Sequence, residues 1–157
     1  MLRIQRTRSL KIAVLIGVVA VLAVVPRVIG VQLAHAHRRE FLTALHLPVT
    51  RAAIASDSAL KTVVRTAALG RVPLGSDTLR VKSYAATLGL DSALGYSEEV
   101  GFDTAGERNI PRFSISVPER VRWYEFGVCE WSRDLSFILD ARGVVRDIAV
   151  ERFGSCI

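Results

Sequence analysis

Apolar and polar positions change their rhythm twice along this chain. Ile12 to Val25 is an unbroken apolar run of 14 residues. From Val49 to Gly89 apolar residues recur at helical spacing, and from Arg112 onward they alternate with a period of two. In "VTRAAIASDSALKTVVRTAALG", Thr50 can cap a helix start, and Ile54, Leu60, Val63, Val64 and Ala67 form one face, with Gly70 as a natural stop. Ser56, Asp57 and Ser58 interrupt this face, so it is one helix or two pieces. In "VPLGSDTLRVKSYAATLGLD", Ser76 or Asp77 supplies the cap, Leu79, Tyr84 and Leu88 the stripe, and Gly89 the stop. Residues 90 to 110 show no period and read as a long loop.

Four strand-like stretches come next. "RFSISV" alternates Phe113, Ile115 and Val117, and Pro118 ends it; "VRWYEFGVCEW" puts Tyr124, Phe126 and Val128 on one face. "DLSFILD" alternates Leu135, Phe137 and Leu139. "GVVRDIAVERF" does the same with Val144, Ile148 and Val150, after an "ARG" link whose Gly143 suits a hairpin. Helices grouped ahead of strands predict an α+β domain: two or three short helices packed on a three- to four-stranded antiparallel meander.

The early apolar run sets the organisation. A bilayer core takes about 20 apolar residues, while 10 to 14 also suits the core of a signal peptide. Leu10 and the stretch from Val28 to Ala34 lengthen the run, and Lys11 can snorkel. Arg3, Arg6, Arg8 and Lys11 precede it, which orients the N-terminus to the cytoplasm and exports the C-terminal remainder of the chain. The expected layout is a basic tip over 1–9, a transmembrane signal anchor over 10–34, a stalk over 35–48 and an extracytoplasmic α+β domain over 49–157. Ala34-His35-Ala36 is an A-x-A cleavage pattern, so a cleaved, soluble exported module is the alternative. One domain is expected, since a chain of 157 residues minus its anchor is near the commonest domain size.

Charge changes the picture by its placement. The net charge is +6, yet residues 1–39 hold seven Lys and Arg and no acid. From Glu40 onward 14 cations face 15 carboxylates, close to −1. A nucleic-acid footprint needs a basic stripe on the domain itself, so nucleic acid is not an expected partner.

Candidate chemistry is sparse. His35, His37 and His46 could in principle ligate zinc, but no Cys or carboxylate supports the spacing, and they read as solvated stalk residues. No histidine follows Leu47, so no Ser-His-Asp or Cys-His triad lies within the fold. Glu98, Glu99 and Asp103 are the remaining carboxylates for a small hydrolase, although neighbours on a loop rarely converge on one bond. Glu125 and Glu130 read as surface. Gly89, Gly95 and Gly101 lack the spacing and Lys of a phosphate loop. No cofactor, metal or catalytic residue is assigned. Trp123, Tyr124, Phe126 and Trp131 put aromatics on both faces of one strand, so Trp123, Trp131 and Tyr124 are candidate partner-binding residues unless a helix covers them.

Cys129 and Cys156 are a disulfide candidate in an oxidising compartment, with two separate buried thiols as the other reading. Closing that loop would restrict the unfolded chain by roughly 3 kcal/mol. In the expected meander a strand lies between them, so the chain after Phe153 must curl back.

"V-P-L-G-S" at residues 72–76, a helix ending in Leu-Gly, "W-Y-x-F" and "F-x-L-D-x-x-G-x-V-x-x-I-x-V" together resemble the SmpA/OmlA (BamE-like) envelope domains over about Val72 to Val150. The resemblance implies a non-enzymatic module of the bacterial envelope that contacts a larger membrane-protein assembly. Typical members carry a lipid-bearing Cys, which is absent here ahead of Cys129. The expected function is therefore an inner-membrane, single-pass accessory or scaffold subunit with its C-terminal domain in the periplasm.

Overall fold

In the computed structural model the backbone is described for residues 2–103, 106–119 and 129–156, and side chains for 22, 24–97, 110–119 and 131–154. The chain forms two compact units, Met1–Ala36 and His37–Ile157. The first is helical and belongs to α1 (Leu2–Ala44), which contains Pro26. Among the described residues, no helix is long and apolar enough to cross a membrane. Most of the run from Ile12 to Val25 has its side chains outside that set.

The second unit is α+β. Its helices are the end of α1, α2 (Arg51–Ile54), α3 (Asp57–Arg71) and α4 (Thr78–Thr87), succeeded by a 3-10 turn at Asp91–Ala93. Its strands are β1 (Leu94–Asp103), β2 (Gly106–Pro118), β3 (Cys129–Leu139) and β4 (Val145–Cys156). They form one antiparallel sheet in the order β1-β2-β3-β4, a meander.

The segment 35–48 is not a stalk. From His37 it belongs to the compact unit, and Phe41, Leu42 and Leu45 are buried in the core. Three large apolar side chains on one helical face are removed from water together, which outweighs leaving the segment free. α1 ends in a Schellman turn: the Leu47 N–H reaches the Leu42 carbonyl and the His46 N–H that of Thr43. His46 takes the left-handed position there, at φ 54.

The interrupted helix is two pieces, because Ser56 starts a new one. Its hydroxyl accepts from the Ala59 N–H, as that of Thr50 accepts from Ala53 and the Asp77 carboxylate from Arg80. α3 passes Gly70 by one residue. α4 stops where Gly89, at φ 67, lets the Leu90 N–H bond the Ala85 carbonyl. Its buried stripe is Val81, Tyr84, Ala85 and Leu88, while Leu79 faces solvent.

The sheet departs from expectation in three places. Most of the expected loop over 90–110 is strand, β1 and the first five residues of β2, in a hairpin paired from Leu94↔Ile115 to Asp103↔Gly106. Leu94, Tyr96, Val100 and Phe102 alternate at strand period within it, a signal that the intervening Gly and Glu residues weaken and that pairing with β2 completes. "SR" is not a connector but part of β3, which runs unbroken from Cys129 to Leu139. A register shift beside Leu139 sets it opposite Val145, so Val145 enters the core and Val144 instead bridges Asp77. The Gly75 N–H and the Ser76 carbonyl also bond Val145, which covers the start of the β4 edge.

Ile115, Leu135, Phe137, Ile148 and Val150 face the helices, with Tyr84 edge-on to Phe137 at 6.2 Å. On the opposite face Ser114 and Ser136 share a 2.9 Å hydrogen bond, and Arg112 reaches Glu151 at 3.1 Å.

Candidate functional site

At one end of the sheet the core-facing positions stop being apolar. On β3 the alternation Leu139, Phe137, Leu135 continues to Arg133 and Trp131; on β4, Ile148 and Val150 continue to Arg152. Register sets Arg133 opposite Arg152, two like charges that would repel across the ladder. Glu119, just past β2, resolves this. Its N–H bonds the Trp131 carbonyl at 2.8 Å, and its side chain is 4% exposed.

Glu119 is surrounded by donors. Arg152 is bidentate, Nε at 3.0 and 3.1 Å from the two carboxylate oxygens and Nη2 at 2.6 Å from Oε2. Arg133 Nε lies 2.8 Å from Oε1, yet without hydrogen-bond alignment, so that contact is electrostatic. His37 Nδ1 lies 3.1 Å from Oε2. Arg133 Nη1 continues to Asp57 Oδ1 at 3.1 Å, where Arg38 Nε also donates at 3.0 Å; Arg38 Nη1 caps the Ile54 carbonyl at 2.8 Å. Burial pushes the Asp57 carboxyl up, but the Arg38 hydrogen bond and the charges of Arg133 and Arg38 outweigh it and hold it below the usual carboxylate range. Thus α1, α3, β3, β4 and the residue just past β2 meet in one ion-pair cluster.

His37 is therefore not a solvated stalk residue: it is 5% exposed and faces a carboxylate. His46 stays exposed and serves the helix end. Among the described residues no group of three potential ligands could hold a metal ion.

Trp131 is 38% exposed and rests on two supports. The Arg152 guanidinium lies 4.3 Å from its ring centroid. Opposite it stands Gly154, where a Cβ would come within 2.6 Å of the ring. The missing side chain is what lets the indole lie across the neighbouring strand. Trp123, Tyr124 and Phe126 fall outside the described residues. Glu98, Glu99 and Asp103 are on β1, where consecutive residues alternate faces.

The signal for this cluster was present in the strands: Arg133 and Arg152 occupy core-parity positions, where a cation requires a buried partner. Periodicity does not say which carboxylate answers them. Cys129 and Cys156 are directly opposite in the β3–β4 register, with no strand between, because β3 absorbs the expected connector.

The chain matches no protein-family model, no curated protein and no solved structure.

Proposed function

We propose that this protein is a non-enzymatic accessory or scaffold subunit, anchored by its N-terminal helix in a bacterial inner membrane, whose exported α+β domain binds a larger membrane-protein complex. The observation that carries the reading is the N-terminal segment. Four cations precede the apolar run, and the described apolar side chains at its end and beyond it are open: Leu22, Val24, Val25, Val28, Ile29 and Val31 are all exposed. Such a surface is costly in water and favourable in lipid. Trp131 supports the binding role, as a large aromatic held in place yet open to contact.

Purification of the full chain in mild detergent, with identification of co-purifying proteins, tests this. A defined membrane-protein partner is expected, released by Trp131→Ala. A monomeric product without partners, or a full-length chain freely soluble without detergent, overturns it.

One observation favours a cleaved module as the second reading. The A-x-A pattern ends at Ala36, and the compact unit begins at His37. A mature N-terminus at His37 by mass spectrometry decides for it.

A further inference from the structure

β2 stops pairing with β3 at Pro118↔Ser132, apart from the Glu119 N–H to Trp131 bond, whereas β3 and β4 continue through Trp131↔Gly154 to Cys129↔Cys156. The described sheet therefore ends in a two-stranded extension, and isolated two-stranded ribbons are marginal in water. Yet this extension carries Trp131, and Arg152 lies at its base.

We propose that Cys129 and Cys156 form a cross-strand disulfide, a redox clasp that holds this extension and with it the Arg152–Glu119 pair and the Trp131 surface. Directly opposite residues of antiparallel strands have Cα atoms about 4.5–5.5 Å apart. A disulfide spans about 4.4–6.8 Å, so the backbone need not move. The bond forms between the two sulfurs. Two protons and two electrons leave, and a disulfide-bearing oxidant takes them up as it becomes two thiols. Reduction releases the strand end, and Arg152 and Trp131 lose the scaffold that presents them to Glu119. Formation in the cell rests on the exported placement proposed above, since the cytosol keeps thiols reduced.

The test uses the full chain in detergent, equilibrated with oxidised glutathione and then with dithiothreitol. The oxidised monomer should hold no titratable thiol and yield a peptide joining Cys129 to Cys156. Amide exchange over 131–133 and 152–154 should be several-fold slower than in the reduced form. In a Trp123→Phe background the emission of Trp131 should shift on reduction. Cys129→Ser/Cys156→Ser should resemble the reduced form and ignore dithiothreitol. Thiols that stay free, or link only between chains, overturn the pairing. A bond that forms while exchange and emission stay unchanged overturns the clasp. A chain that leaves the cell reduced but oxidises internally when pure supports the pair and overturns the exported placement.

Discussion

Glu119→Gln keeps the shape of the side chain and removes its charge from among Arg133, Arg152 and His37. The two arginines respond differently. Arg152 has its side chain 41% exposed and can return to water, so its share is that of a surface pair, about 0–1 kcal/mol. Arg133 is 5% exposed and cannot. Stranding a buried charge costs about 3–5 kcal/mol, which the remaining Asp57 contact at 3.1 Å partly offsets. The expected loss is about 2–4 kcal/mol. Urea unfolding of the full chain in detergent, monitored by circular dichroism, should show a lower midpoint with an unchanged slope. Adding Arg133→Met to Glu119→Gln should recover at least half, because the stranded cation is gone and an apolar chain fills its space. Two results would refute the reasoning: a Glu119→Gln midpoint equal to the parent's, or losses that simply add in the double variant.

Phe41→Ala should cost about 3–5 kcal/mol in the same assay, because the residue is buried in the core; a loss near zero would refute that placement. Gly154→Ala drives a methyl into the Trp131 ring and should cost about 1–3 kcal/mol, with a shifted tryptophan emission in a Trp123→Phe background. His46→Gly relieves a left-handed residue at the end of α1 and should raise stability by about 0.5–1 kcal/mol. The Asp57 carboxyl is held below its ordinary value of 3.8, so its contribution is present above that pH and is lost as pH falls through the lowered value. Asp57→Asn should flatten that part of an acid titration of stability; an unchanged slope would remove Asp57 from the cluster.

What could be read in the one-dimensional chain was local. The caps at Thr50 and Asp77, the stop at Gly89 and the inward faces Phe113-Ile115 and Leu135-Phe137-Leu139 depend on neighbours within a few residues. β1 does carry a period-two signal, Leu94, Tyr96, Val100 and Phe102 in "LGYSEEVGFD", but Glu98 breaks the apolar series and Gly95 and Gly101 are poor strand formers, so the strand is plain only once it is paired with β2. Val144 and Val145 exchanged places because a register shift near Leu139 is a property of the ladder, not of either strand. His37 looked solvated because its partner, Glu119, lies far along the chain, beyond the reach of any spacing rule.

The amino-acid order alone determined the α+β class, the helix start at Thr50, the stop at Gly89 and which face of β3 and most of β4 turns inward, since dihedral preference, capping and alternation act over one or two turns. Tertiary structure decided which carboxylate receives Arg133 and Arg152, that Trp131 lies over Gly154, and that the two cysteines stand face to face. Those outcomes depend on register, and register is chosen by the free energy of the whole sheet closing over its core.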